Sequence, residues 1–207
     1  MIRFEHVSLH YGNQTILNDL NFEIKEGQFA VLSGPSGGGK TTTLKMINRL
    51  IQPDSGHIYL NGEDVARTDR YQLRRRIGYV IQQVGLFPNM TVAQNICVVP
   101  RLLGTPKEGY DDLVRRMLAM VDLPYESYAH KYPSELSGGQ QQRIGILRAL
   151  AASPPVVLMD EPFTGMDADL VRDAAAVTRR LAGERPTILV THDRTAAELL
   201  GWPIREI

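Results

Sequence analysis

The sequence predicts an α/β fold, and three observations carry that prediction. Short apolar runs of the kind buried in parallel sheets occur at Ile77–Ile81, Val156–Met159 and Thr187–Val190, with helical stretches separating the later ones. The first part of the chain is mostly β: Ile2–Leu9, Leu20–Ile24, Phe29–Leu32 and His57–Leu60 read as strands, with turns such as Glu26-Gly27 and Asn61-Gly62 between several of them. Between these parts, Thr91 to Ala129 is rich in Leu, Met, Val and Arg at helical spacing and is punctuated by Pro100, Gly104, Pro106 and Pro124. It reads as an inserted helical subdomain, expected at about residues 88–152 of a single domain spanning 1–207.

Composition sets the outer limits. At 207 residues, 43% hydrophobic and 22% charged, the chain can build one globular domain with a substantial core. Its 23 Lys and Arg balance 23 Asp and Glu, so no overall field draws it to nucleic acid or an anionic bilayer. No apolar run approaches the roughly 20 residues that span a bilayer, and the N-terminal MIRFEHVSLHYG lacks the apolar core of a signal peptide. The cytosolic side is the expected compartment, and any membrane role is local or through a partner. The single cysteine, Cys97, excludes disulfide frameworks and cysteine-rich metal sites and reads as a buried hydrophobe in NICVVP. The chain has no internal repeat and no low-complexity segment.

After the third strand comes Gly34-Pro-Ser-Gly-Gly-Gly-Lys40-Thr41, a match to G-x-x-x-x-G-K-[ST]. A helix follows from Lys40 to Leu50, with Leu44, Met46, Ile47 and Leu50 at helical spacing and Pro53 shortly beyond. Glycines let a backbone curl around an anion with its N–H groups inward, and the following helix adds the positive end of its dipole. Gly34, Pro35, Ser36, Gly37, Gly38, Gly39, Lys40, Thr41 and Thr42 are the expected ATP-binding residues. Lys40 reaches the β- and γ-phosphates in this reading, and the Thr41 hydroxyl ligates a bridging Mg²⁺. A merely flexible loop is the alternative, and the strand–loop–helix setting argues against it.

Two acids close an apolar strand in Pro155-Val-Val-Leu-Met-Asp160-Glu161, at the carboxyl edge where ligands of α/β sheets collect. Asp160 is expected to hold Mg²⁺ through its water shell, and Glu161 to polarise the water that attacks the γ-phosphate. A second glycine turn, Leu136-Ser137-Gly138-Gly139-Gln140, precedes an apolar helix through Ala152 and could also cap an anion. One nucleotide has no need of two cradles in one compact domain, so a head-to-tail pair with ATP between subunits is the natural solution.

With LSGGQ, GPSGGGKT and VVLMDEP in this order, essentially the whole chain resembles the nucleotide-binding subunit of ATP-binding cassette (ABC) transporters. The resemblance implies a P-loop NTPase core with a mixed sheet, an N-terminal antiparallel β subdomain and an inserted helical subdomain. It also implies that Tyr11, in HYGNQTIL, stacks on adenine, where the residue-level alternative is a packing aromatic near a strand end. Gln82, in GYVIQQVGLFP, matches the glutamine that touches the metal and the attacking water, with Gln83 the neighbouring alternative. Asp167, in TGMDADL, matches the acid that bridges two subunits, although Gly165-Met166 replaces the Ala-Leu more often found before it. His192, in LVTHDR, matches the histidine that contacts the γ-phosphate and helps orient the water.

Three longer stretches, TTTLKMINRLIQP, LRRRIGYVIQQVGLFPNMTVAQNI and KYPSELSGGQQQRIGILRALAASPPVVLMDEPF, look most like the ATPase subunits of bacterial glycine betaine and choline importers. That likeness implies a homodimer on ATP binding, membrane permease subunits, an extracytoplasmic solute-binding protein, and a place on the cytoplasmic face of the cell membrane. Leu86-Phe87-Pro88 and the helices after it are expected to form the groove for a permease helix. Arg74-Arg75-Arg76 reads as a solvated helical face rather than a lipid contact. The chain stops soon after His192, earlier than is usual in the family, and Trp202 is expected to cover an edge there. A soluble cassette ATPase without a transporter, and a non-hydrolysing scaffold, are the competing functions. The lack of a second cassette or long coiled-coil insertion argues against the first, and Glu161 with His192 against the second.

Overall fold

The computed structural model describes residues 1–206 apart from Ser36, Gln83, Gly165, Asp167, residues 193–196, Leu199 and Leu200. The antiparallel and parallel strands form separate sheets. β1 (Ile2–Tyr11), β2 (Gln14–Ile24), β4 (Ser55–Leu60) and β5 (Glu63–Asp64) make a four-stranded sheet in the order β2-β1-β4-β5, antiparallel throughout. The other sheet joins β6 (Ile77–Val80), β7 (Val156–Asp160), β8 (Thr187–Val190), β3 (Phe29–Ser33) and β9 (Ile204–Glu206) in that order, and every pairing is parallel.

β2 begins earlier than its apolar residues indicate. Gln14, Thr15, Asn18 and Asp19 are exposed and only Ile16 and Leu17 between them turn inward, so this half shows no alternating apolar pattern in the sequence and is held by pairing such as His10↔Thr15 and Tyr11↔Gln14. β9, exposed at all three residues, likewise lacks an apolar signal and exists by pairing with β3. Trp202 leads into it, is buried, and lies tilted against the Phe29 ring with centroids 4.8 Å apart, as expected of a residue covering an edge.

The parallel strands are buried on both faces, and their alternation divides the core in two. Ala30, Leu32, Leu158, Ile188 and Val190 face α1 (Lys40–Ile47) and the apolar side of the antiparallel sheet, including Phe4, Phe22 and Ile58. Val31, Val157, Met159 and Leu189 face the opposite way, onto the cluster that includes Ile144 and Leu147 of α7 (Gly138–Leu150) and Val171 of α8 (Ala168–Ala182). α1 is therefore held between the two sheets.

From Val92 to Leu150 the described elements are all helical: α3 (Val92–Ile96), α4 (Val98–Leu102), α5 (Tyr110–Ala119), α6 (Tyr125–Tyr128) and α7, with short 3₁₀ turns. Pro100 does not punctuate this run. It lies in the first turn of α4, where the missing N–H has no intrahelical partner to lose, and Gly104, at φ +78°, follows the helix end. α1 is shorter than its apolar spacing predicts, because Arg49 at φ +53° turns the chain before Leu50, which is half exposed.

Candidate functional site

Parallel pairing brings four strand ends to one edge. Leu32 lies opposite Val190, Val190 opposite Asp160, and Met159 opposite Val80, so the segments beyond β3, β8, β7 and β6 all leave the sheet on the same side. These segments carry Gly34–Thr42, His192, Asp160-Glu161 and Gln82 respectively, which is why residues far apart in sequence converge.

The glycine loop turns tightly. Gly37 and Gly39 adopt φ +84° and +86°, and the Gly38 amide donates to the Pro35 carbonyl at 3.0 Å. A Cβ on Gly39 would stand 2.9 Å from Leu17 Cδ2, so at this point the loop packs directly on β2. Lys40 is buried and donates from Nζ to the carbonyls of Gly34 and Pro35, both at 2.8 Å. Thr41 Oγ1 donates to Asp160 Oδ1 at 2.8 Å, and the Tyr79 hydroxyl lies 3.4 Å from Asp160 Oδ2. Burial pushes the Asp160 carboxyl above its ordinary range, opposed by the Thr41 hydrogen bond and reinforced by the neighbouring Glu161 charge. Burial and the Asp160 charge push the Tyr79 phenol up as well.

Glu161 Oε1 accepts twice from one residue, from the His192 amide at 2.8 Å and from ring Nδ1 at 2.7 Å. A carboxylate at that distance places the ring proton on Nδ1 and leaves Nε2 of the neutral ring as an acceptor. Glu161 itself sits at φ +48°, a left-handed conformation costing roughly 1–2 kcal/mol outside glycine. Its amide bond to the Val190 carbonyl, at 2.9 Å, helps to hold it there.

Ser137 caps α7. Its Oγ accepts the Gln140 amide at 3.3 Å while Gln140 Oε1 accepts the Ser137 amide at 3.0 Å. Because the serine is the acceptor in that cap, its own proton stays available to a ligand. No Cβ clash stands over Gly138 or Gly139. Ser137 and Gly139 line a recess of about 280 Å³ with Val121, Arg143, Met166 and Val177, and no described phosphate-loop residue shares it. The structure thus joins Lys40, Thr41, Asp160, Glu161 and His192 at one edge and leaves the Ser137–Gln140 turn in separate surroundings.

Tyr11 is 53% exposed at the end of β1, and Gln82 is exposed just past β6. Pro35 and Gly37 are exposed, while Gly34, Gly38 and Thr42 are half-buried. Ser36, Gln83 and Asp167 lie outside the described residues. A large cleft of about 930 Å³ is lined by Met90, Ala93, Cys97, Val98, Leu102 and Tyr110 among others. Of the residues expected in a partner groove, Leu86 is half-buried against the core, while Phe87 and Pro88 are exposed. In the arginine run, Arg75 is exposed and Arg76 pairs at the surface with Glu63 at 2.8 Å, whereas Arg74 departs from a solvated face by binding the carbonyls of Asn48 and Arg49 beyond α1.

Three buried or half-buried polar residues were not legible as functional in the sequence. Gln142, in α7, donates to the Pro162 carbonyl beside Glu161. Asn95 and Arg148 grip the segment that follows Gln82. Each sits at a helical position that reads as filler, and only the contacts reveal them.

An α/β fold with a glycine loop between strand and helix, and two acids on the adjacent-but-one strand, defines a P-loop nucleotide-binding protein. The chain belongs to the ABC transporter family, whose profile matches residues 17–164. It is 50% identical over 203 residues to the glycine betaine/carnitine/choline transport ATP-binding protein OpuCA of Bacillus subtilis, covering 95% of this chain and 52% of that protein. With the osmoprotectant import ATP-binding protein OsmV of Salmonella typhimurium it shares 50% identity over 209 residues, 97% of this chain and 54% of OsmV. The chain thus spans about half the length of these curated relatives. Among solved structures, the dimeric post-hydrolysis state of the ATP-binding cassette MJ0796 bound to ADP and Pi aligns with a TM-score of 0.83 and 32% identity, covering 96% of this chain and 91% of that one.

Proposed function

We propose that this chain is the ATP-hydrolysing subunit of an importer, energising uptake of a small quaternary ammonium osmoprotectant such as glycine betaine or choline through separate membrane subunits. The observation that carries the reading is the meeting, at one sheet edge, of Thr41 with Asp160 at 2.8 Å and of His192 with Glu161 at 2.7 Å. The solute class rests on the names of the relatives alone.

Lys40 exchanges its two carbonyl partners for phosphate oxygens, and the left-handed glycines turn backbone N–H groups toward the same anion. Tyr11, half exposed, offers its ring face to adenine. Thr41, in the first turn of α1, and Asp160, at the end of β7, present hard oxygen donors to one place, a set that fits Mg²⁺, with Gln82 as a third donor. The ion when bound neutralises charge on the β- and γ-phosphates. Glu161 then accepts the proton of the attacking water, while His192 orients Glu161 through two bonds to one oxygen.

The Ser137–Gln140 turn completes the site of a second copy, its hydroxyl and exposed amides meeting the γ-phosphate across a head-to-tail homodimer, with Asp167 bridging the subunits. Residues 88–152 act as the inserted helical subdomain. The permease engages its large cleft at the cytoplasmic face of the membrane, and a separate solute-binding protein delivers the solute.

The test is uptake of labelled glycine betaine and choline at high osmolarity, in cells carrying the wild type or Glu161→Gln with the neighbouring membrane-protein genes. Uptake that requires Glu161 supports the assignment. Hydrolysis by the purified protein without uptake of either solute removes the solute class and leaves the ATPase. A polar amino acid is then the next solute to assay, because the glutamine transport ATP-binding protein GlnQ of Escherichia coli is 42% identical over 202 residues.

A further inference from the structure

The segment from Gln82 to Thr91 leaves the sheet edge without regular secondary structure among its described residues, yet helices fasten it at several points. Arg148, in α7, donates from Nη2 to the Val84 carbonyl at 2.7 Å and from Nη1 to the Gly85 carbonyl at 2.8 Å. Its guanidinium also lies 5.8 Å from the centroid of the Phe87 ring. Burial lowers the pKa of this arginine, and its two described hydrogen bonds both run to backbone carbonyls. One turn earlier on the same helix, Val84 packs so tightly over Gly145 that a Cβ there would stand 2.6 Å from Val84 Cγ1. Asn95, fully buried, holds the far end: its Oδ1 accepts the Phe87 amide at 2.8 Å, and its Nδ2 faces the carbonyls of Phe87, Met90 and Thr91 at 3.1–3.2 Å.

α7 therefore touches three parts of the site. Its N-terminus is the Ser137–Gln140 turn, Gln142 bonds the Pro162 carbonyl beside Glu161, and Arg148 holds the chain two residues beyond Gln82. We propose that Arg148 is a positioning residue for Gln82: by fixing the Val84 and Gly85 carbonyls it sets where Gln82 emerges from the sheet edge. The inference rests on the reading of Gln82 as the residue that meets the metal and the attacking water. Arg148 meets the two carbonyls with two separate nitrogens of one planar group that also lies beside the Phe87 ring, a geometry that the single nitrogen of a shorter lysine does not reproduce at this site.

The test is a double-mutant cycle in the full chain, with Arg148→Lys, Gln82→Ala and the pair, reading kcat, KM for ATP and ATP affinity. Arg148→Lys is expected to lower kcat about 10-fold with ATP affinity changed less than about 3-fold, and to cost less than about 2-fold further in the Gln82→Ala background. Gly145→Ala, which pushes Val84 from the same face without touching Arg148, should give the same pattern, and it carries the test if the lysine variant fails to fold. An unchanged kcat, or the full loss repeated in the Gln82→Ala background, would overturn the proposal, since a merely structural role is additive. If Gln82→Ala turns over at the wild-type rate, the reading of Gln82 falls, and this inference falls with it.

Discussion

Glu161 Oε1 accepts both the amide and the ring Nδ1–H of His192, at 2.8 and 2.7 Å, so a single carboxylate oxygen fixes the backbone and the side chain of the histidine together. Replacing Glu161 by Gln keeps an oxygen that can accept the His192 amide but removes the base. Hydrolysis should therefore fall at least about 100-fold while ATP binding stays within a few-fold, and the bound protein should accumulate as a dimer. Phosphate release and size-exclusion chromatography with ATP read the two effects, and unchanged turnover would remove Glu161 from the base role.

Among the described residues the Lys40 ammonium bonds two loop carbonyls, at 2.8 Å each. Lys40→Ala should thus leave the melting temperature nearly unchanged and weaken ATP binding by about 10- to 100-fold, the equivalent of a charge-assisted bond of about 1.5–3 kcal/mol. Isothermal titration against ATP measures the loss, and an affinity equal to the wild type would show that the ammonium does not meet the phosphates.

Local motifs and apolar runs were legible in the sequence, whereas features created by pairing were not. Gly34–Thr41, Asp160-Glu161 and the Ser137 cap announce themselves because each needs particular residue types at fixed spacing. The buried strands Val156–Asp160 and Thr187–Val190 were readable because both of their faces are apolar. The first half of β2 and all of β9 were not, because their exposed residues owe strand geometry to a neighbour's hydrogen bonds. The same holds for Arg74 and Arg148, whose charges are spent on carbonyls of other segments, a choice that tertiary structure makes.

Two glycines of similar appearance should behave in opposite ways. Gly39 sits at φ +86° with Leu17 Cδ2 2.9 Å from a prospective Cβ, whereas Gly138 meets open space. Gly39→Ala should destabilise the protein by about 1–2 kcal/mol, lowering the melting temperature by about 2–8 °C. Gly138→Ala should leave thermal stability almost unchanged and act on hydrolysis instead, because its place is at the proposed shared site. Calorimetry on the two variants separates them, and equal stability losses would contradict the loop geometry.

Cys97 is the one cysteine of the chain and lies 6% exposed in the wall of the large cleft. Burial pushes its thiol from 9.0 up to about 11, with a smaller contribution from the Asp111 charge. The folded protein binds this proton more tightly than the unfolded chain does, so the thiol's contribution to stability is fully present below pH 9 and is lost between pH 9 and 11. Alkylation requires the thiolate, and at pH 8 the native thiolate is scarcer than in the unfolded chain and screened by α3 and α4. Iodoacetamide labelling at pH 8 should therefore be at least about 10-fold slower in buffer than in urea, and the native rate should still be climbing above pH 9. A native rate that reaches its plateau near pH 9 would place Cys97 in open solvent and the cleft wall elsewhere.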